Sequence, residues 1–403
     1  MHPYRPLFVS NKRRETPSSE LRGLAVLLAV LGLLGPGLAV ADPAEPPPIA
    51  KVTLAGYLET YYQLNVRSPS NHITNLRGFD NRDRTFTLSN VVLDGKGERG
   101  PLTARVILQV GSTPSTYYLA EPALPGANGA NATSGELWKY VQQATLAYTA
   151  GKAVLDAGLF PSPIGPEVLA VKDNWNWSRS NLFVGLPFYH TGARIAYPLG
   201  GGWTGMLHVY NGWNSVVDNN RYPSVALSAA YASPRVTGQL AYFGGIERAT
   251  GAPEGKPWRN LLDAYATIAV TDDVSVLAQV DGGVEPNAIG TASWLAGALA
   301  GKVQLAPELY AAVRADYFRE HVPQDSGVSA APIFWPTAWL ASSTATLALQ
   351  PTDGLSVRLE VRHDQAKDRV FFGGEVAGDG VTTPYVPNRR AQDTVTVGAV
   401  AWF

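Results

Sequence analysis

From Val52 onward the chain alternates apolar and polar residues with a period of two, the period of a β-strand that has two different faces. One later segment, 355–362, places three charged side chains on a single face: Arg358, Glu360 and Arg362. Charged side chains need water or a partner, so each strand is predicted to separate an apolar environment from an aqueous one. The pattern is less regular at 84–95, which changes phase near Asn90.

The connections between these segments alternate strictly between short and long. Seven are short and carry Gly, Pro or Asp: 96–101, 151–152, 199–202, 233–235, 271–273, 306–308 and 351–354. Eight are long: 67–83, 113–139, 161–190, 212–223, 246–259, 282–291, 320–338 and 365–391. Such alternation is typical of a transmembrane barrel. We predict an all-β, antiparallel up-and-down barrel of about sixteen strands (range about 12–18), with short periplasmic turns and long external loops.

Composition supports a surface that faces lipid. Charged residues make up 16% of the chain, whereas an average soluble protein has about 25%. A soluble β-sandwich would also show alternating strands, but it does not explain this low charge. The formal net charge of −1 excludes the basic surface that nucleic-acid binding requires. The chain has no cysteine, which excludes disulfides, thiolate metal sites and thiol nucleophiles.

The N-terminal segment has the order of a secretory signal. Basic residues, among them Arg14 and Arg22, precede an apolar run at 24–34, and the small residues Ala39 and Ala41 follow. We predict a signal peptide at 1–41 that is cleaved after Ala41. The alternative is an uncleaved membrane anchor, but Gly and Pro interrupt the run, which is at the short limit for a span.

The predicted cleavage leaves two parts. A short Pro-rich segment, 42–51, is expected in the periplasm, and 52–403 is expected to form a single transmembrane barrel domain. The predicted location is the bacterial outer membrane, because closed barrels with this loop pattern are found there.

Charged residues in the inward phase of the strands are the candidates for a pore lining. Rings of charge along the wall set the selectivity of a pore. The candidates are Glu59, Arg105, Arg194, Arg314, Asp316, Arg358, Glu360 and Arg362. Cross-strand pairs that only hold the wall together are the alternative interpretation of each.

The longest connection, 161–190, is the candidate constriction. A barrel of about sixteen strands encloses a channel wide enough to need narrowing. The residues expected to border or support the constriction are Lys172, Asp173, Trp175, Trp177 and Arg179. The sequence leaves two positions open for this loop: folded into the lumen, or packed over the external rim with the same residues in a structural role.

Several motifs resemble a known family. The segment 394–403 alternates and ends on Trp402 and Phe403, which resembles the terminal strand that serves as an assembly signal in bacterial outer-membrane proteins. FPSPIG at 160–165, DNWNWSRS at 173–180 and PFYHTG at 187–192 resemble the OmpL-like β-barrel porin family.

The resemblance implies an outer-membrane diffusion pore for small hydrophilic solutes or ions. Its implied partners are outer-membrane lipids and the barrel-assembly machinery. The chain departs from the trimeric general porins because it shows no evident acidic constriction motif, which leaves homo-oligomerisation open.

Two other functions are compatible with a barrel. A lipid-acting enzyme would need a Ser/His pair on its outer wall, but none of His190, His208, His321 and His363 lies in a recognisable catalytic motif. A non-conducting adhesin or structural barrel would need a plug, and 42–51 is too short to supply one. We therefore expect no enzymatic activity, no catalytic residue, no metal, no cofactor and no nucleic-acid partner.

Overall fold

The computed structural model describes residues 50–122 and 133–403, which form one closed antiparallel barrel of sixteen strands. The predicted all-β barrel and its strand number are confirmed. The barrel strands are β1 (Lys51–Asn65), β2 (Phe86–Arg99), β3 (Leu102–Val110), β4 (Val141–Ala150), β5 (Ala153–Pro161), β6 (Tyr189–Gly200), β7 (Trp203–Tyr210), β8 (Ser224–Ala232), β9 (Val236–Ile246), β10 (Trp258–Ala269), β11 (Val274–Pro286), β12 (Thr291–Ala306), β13 (Leu309–His321), β16 (Trp339–Thr352), β17 (Leu355–Ala366) and β18 (Ala391–Trp402).

The remaining elements are small and lie in the long connections. A two-stranded hairpin of β14 (Gln324–Asp325) and β15 (Val328–Ser329) lies between β13 and β16. The helical pieces are Thr113–Tyr117, Gly135–Trp138, the 3-10 turn Val171–Asp173 and Asn181–Val184. Within the described ranges, every helix is too short or too polar to cross a membrane. The predicted signal peptide, 1–41, and most of 42–51 lie outside the described residues, so both stay predictions.

The two faces of the strands differ as the alternation predicts. In β17 the inward residues Arg358 and Glu360 are buried, whereas the outward Leu359 is 47% exposed. Lipid cannot form hydrogen bonds with an unpaired sheet edge, so the barrel must close on itself. It closes where β1 pairs antiparallel with β18.

The last two residues take part in this closure. Trp402 lies opposite Tyr57, and the backbone N–H of Phe403 donates to the carbonyl oxygen of Gly56 at 3.1 Å. A Cβ at Gly56 would lie 2.6 Å from the carbonyl oxygen of Val92, so glycine permits this close approach. The role of Trp402 and Phe403 as an assembly signal stays a prediction.

The phase change near Asn90 is a β-bulge. Asn90 pairs with Glu59, but the next pair joins Leu88 with Thr60, so Ser89 has no partner on β1. An extra residue in one strand shifts the inward and outward positions by one. Both Ser89 and Asn90 are consequently buried.

The seven predicted short turns coincide with the short connections between strands, but one predicted long loop, 282–291, is wrong. Strand β11 continues to Pro286 and β12 begins at Thr291, so only 287–290 connect them. Gly282 and Gly283 suggested a loop, but they lie within β11. The missing side chain of Gly283 leaves space for the ring of Trp294 on β12.

The assignment of faces predicts a depth-dependent cost for charge on the outer wall. Leu299 lies near the middle of β12 and Leu305 near its periplasmic end, and both side chains are exposed outward. We expect Leu299→Arg to lower the free energy of unfolding in lipid vesicles by about 2–4 kcal/mol, and Leu305→Arg by about 0–1 kcal/mol. Urea titration of the vesicle-inserted barrel measures both. Equal losses would contradict the assigned depth of β12.

Candidate pore constriction

The connection between β5 and β6 folds inside the barrel. Its residue Trp177 is only 2% exposed and packs against the inward-facing Tyr61 of β1, with ring centroids 6.1 Å apart. The Trp177 ring also lies over Gly398 of β18, the cross-strand neighbour of Tyr61, where a Cβ would collide with it. Of the two positions that the sequence left open, the structure has the loop in the lumen.

Two charged residues of β17 bind the loop through its backbone. The Glu360 carboxylate accepts hydrogen bonds from the N–H groups of Trp177 at 2.6 Å and Ser178 at 3.0 Å. The Arg358 guanidinium donates to the carbonyl oxygens of Asn174 at 2.9 Å and Asn176 at 3.0 Å. Because positions i and i+2 of a strand face the same way, one strand presents an acceptor and a donor side by side.

A third charged residue of β17 extends this contact. Arg362 donates to the carbonyl oxygen of Arg179 at 2.6 Å and to the side-chain oxygen of Asn181 at 3.2 Å. Its guanidinium also forms an ion pair with Asp364 at 2.7 Å. Three of the four inward charged residues of this strand thus follow the loop from residue 174 to residue 181.

Strands β1 and β13 hold further parts of the loop. Glu59 accepts from the N–H of Val171 at 2.6 Å. Arg314 donates to Glu167 at 2.8 Å and to the carbonyl oxygen of Ser178 at 2.7 Å.

The neighbouring inward residue of β13 binds the start of the short helix Asn181–Val184. Asp316 accepts from the backbone N–H of Asn181 at 3.1 Å and from its side-chain amide at 2.7 Å. Hydrogen bonds to charged groups are each worth about 1.5–3 kcal/mol, so the set of contacts around the loop holds it firmly against one side of the wall.

The loop is also braced internally. Arg179 donates to the carbonyl oxygen of Trp177 at 2.8 Å and to that of Leu169. The side chain of Asn174 accepts from the N–H of Val168 at 3.0 Å and donates to its carbonyl oxygen at 2.7 Å. These contacts keep the segment compact although it contains only a 3-10 turn and one helical turn.

The remaining loop candidates are Lys172, Asp173 and Trp175. Lys172 and Asp173 form an ion pair at 2.9 Å, and the Asp173 side chain is 52% exposed. Between the loop and the wall lies a cavity of about 210 Å³. Its lining includes Glu167, Asp173, Trp175 and Asn176 from the loop, and Thr237, Tyr265, Gln279 and Arg314 from the wall.

The eight predicted pore-lining residues divide into two groups. Six contact the loop: Glu59, Arg314, Asp316, Arg358, Glu360 and Arg362. The other two form wall pairs, Arg105 with Asp94 and Arg194 with Asp156, each at 2.6 Å. That these side chains contact permeating solute stays a prediction.

Several residues of the site were not among the predicted ones. They are Glu167, Asn174, Asn176, Ser178, Asn181, Tyr310 and Gly398. The density of Asn and Ser in 174–181 is a sequence signal for Asn174, Asn176, Ser178 and Asn181, since these side chains often hydrogen-bond to backbone in irregular segments.

Comparison with solved structures finds the same barrel fold in other proteins. The trimer form of OmpT, an outer-membrane protein of Vibrio cholerae, superposes with a TM-score of 0.55 at 9% identity, over 88% of this chain and 99% of that one. The anion-selective porin from Comamonas acidovorans gives a TM-score of 0.56 at 12% identity, over 88% of this chain and 100% of that one. At these identities the likeness concerns the fold alone.

Comparison with curated protein sequences gives no match. The model of the family described as "Putative beta-barrel porin-2, OmpL-like" matches residues 51–403. The match spans the whole described barrel and agrees with the resemblance of the motifs at 160–192. The chain therefore belongs to this OmpL-like family of outer-membrane β-barrel porins.

Proposed function

We propose that the protein conducts small hydrophilic solutes or ions passively across the outer membrane, through a lumen that the loop 162–188 narrows. The observation that carries this proposal is the cavity of about 210 Å³ between the bound loop and the wall, which polar side chains border on both sides. A water-filled gap lined with hydrogen-bonding groups lets hydrated solutes pass.

The loop supplies the size limit because it is bound in place. Glu360 and Arg358 bind adjacent stretches of its backbone, and Asp316 binds the start of its helical turn. A gap held on one side by several buried contacts keeps a defined width. Glu167 and Asp173 of the loop and Arg314 of the wall contribute charges of both signs to its border.

The proposal includes no catalysed step. The two inward histidines next to the loop are engaged in structural contacts: His190 with the carbonyl oxygen of Gly212 at 2.9 Å, and His208 with the hydroxyl of Tyr210 at 2.7 Å. His190 also stacks on Tyr210 with centroids 3.9 Å apart. These contacts support a structural role for both histidines in the barrel wall, and not a role as general base.

Export and assembly complete the proposal. The basic and apolar N-terminal segment supports export with cleavage after Ala41. A homo-oligomer is included because one structural neighbour was solved in a trimer form. Insertion would involve the barrel-assembly machinery and the surrounding outer-membrane lipids.

Shortening the loop tests its role in setting the width. We expect deletion of 166–180 to raise single-channel conductance by about twofold or more in a planar bilayer, because the obstruction in the lumen is removed. Deletion of 378–383, six exposed residues in another external loop, is the matched control and should leave conductance unchanged. A heat-shifted, folded 166–180 deletion with unchanged conductance would refute the constriction.

Reversing a charge at the gap tests the permeation path. We expect Asp173→Lys to raise the chloride-to-potassium permeability ratio about two- to fivefold at low salt, because a cation replaces an exposed anion at the border. Asp353→Lys, in the turn between β16 and β17, is the control. Reversal potentials in a salt gradient measure the ratio, and an equal shift in both variants would argue against a path beside residue 173.

A further inference from the structure

A row of polar side chains crosses the outer, lipid-facing wall near the external ends of β16, β17 and β18. Ser343 lies opposite His363, and His363 lies opposite Asp393. The Nδ1 atom of His363 is 2.7 Å from Oδ1 of Asp393, and Nη2 of Arg67 is 3.0 Å from Oδ2 of Asp393. Ionisable groups that face lipid are rare and mark functional sites.

The row lies on the membrane side of an aromatic pair. The rings of Tyr317 and Trp339 stack with centroids 6.2 Å apart near the external ends of β13 and β16, and aromatic side chains mark the interface in such barrels. Ser343 follows Trp339 by four positions on β16, which is about 13 Å along the strand. Asp393 lies near the external end of β18 and pairs with Arg67 of an external loop, so the row extends from the headgroup level at Arg67 into the acyl-chain region at Ser343.

An apolar groove of about 770 Å³ begins at this row and follows the outer wall. Ser343, His363 and Asp393 line its polar end. Small residues make room along the rest of it: Gly301, Ala315 and Ala345, between Leu299, Val313, Val361 and Val395. A groove with one polar end and an apolar length has the shape and polarity of a site for one lipid chain with its headgroup.

The surroundings of the polar end favour an anionic headgroup. Exposed basic residues on the two adjoining external loops are Arg67, Arg82, Arg84, Lys367, Arg369, Arg389 and Arg390. Exposed acidic residues on the same loops are Asp368, Glu375 and Asp379. The surplus of positive charge attracts phosphate, while Asp393 holds Arg67 and His363 in position.

We infer that this outer-wall groove binds one anionic phospholipid, with its phosphate at Arg67 and His363, the Ser343 hydroxyl beside the first part of an acyl chain, and the rest of that chain between Ala315 and Ala345. This lipid site lies outside the barrel and is independent of conduction through the lumen. It gives the expected contact with outer-membrane lipids a defined place on the wall.

Native mass spectrometry of the refolded barrel with phosphatidylglycerol, phosphatidylcholine of the same chains, or glycerol phosphate tests the site. We expect the barrel to retain one molecule of phosphatidylglycerol, to retain phosphatidylcholine to a lower extent, and to retain no glycerol phosphate. The double variant Arg67→Ala, His363→Ala should lower phosphatidylglycerol retention about tenfold, because charge-assisted hydrogen bonds are lost. Ala345→Leu, which fills the groove, should lower retention of both lipids.

Matched controls are Arg235→Ala, an exposed arginine near a periplasmic turn, and Ala229→Leu, an outward residue on β8. If all folded variants retained phosphatidylglycerol equally, the proposed lipid site would be overturned. If phosphatidylglycerol retention fell in the Ala345→Leu variant alone, the inference that the headgroup is anionic would be overturned. Covalent labelling of Ser343 by a fluorophosphonate probe would overturn simple binding in favour of ester hydrolysis. Single-channel conductance should be the same in all these variants, so failure here is distinguishable from failure of the pore.

Discussion

Every backbone N–H and carbonyl group of this chain must find a partner in places where bulk water cannot supply one. Lipid imposes this on the outer wall, and the sixteen strands meet it by closing β1 onto β18. The same requirement applies inside. A loop of irregular structure that enters the lumen carries unpaired backbone groups with it, and it stays there only if the wall provides partners.

The wall provides them as charged side chains at alternate positions. Glu360 accepts two N–H groups of the loop, and Arg358 and Arg362 donate to its carbonyl oxygens. The period of two that makes β17 half apolar and half charged is therefore also what lines up these contacts. Most of these inward charges of the wall therefore bind the loop and do not face solvent. The charged side chains that line the gap are Glu167 and Asp173 of the loop and Arg314 of the wall.

Periodicity and turn chemistry were enough to predict the barrel, its strand number and the position of the turns, because both depend on neighbouring residues. The same local signals failed at Gly282 and Gly283, which lie within β11 and not in a turn; Gly283 makes room for the ring of Trp294. They also left the position of the loop open. The contact between Trp177 and Glu360 joins residues 183 positions apart, and no local pattern reports such a distance. The reason for glycine at position 398 is that the Trp177 ring lies over it, a contact that the sequence does not reveal.

In the proposed pore, the bound loop borders the water path at residue 173. Because the chain has no cysteine, Asp173→Cys introduces a single thiol. Single-channel recording of this variant, before and after addition of a bulky charged thiol reagent, measures the claim directly, with the unmodified protein as control. We expect a stepwise fall in conductance in the variant alone. Unchanged conductance after complete modification, established by mass spectrometry, would contradict it.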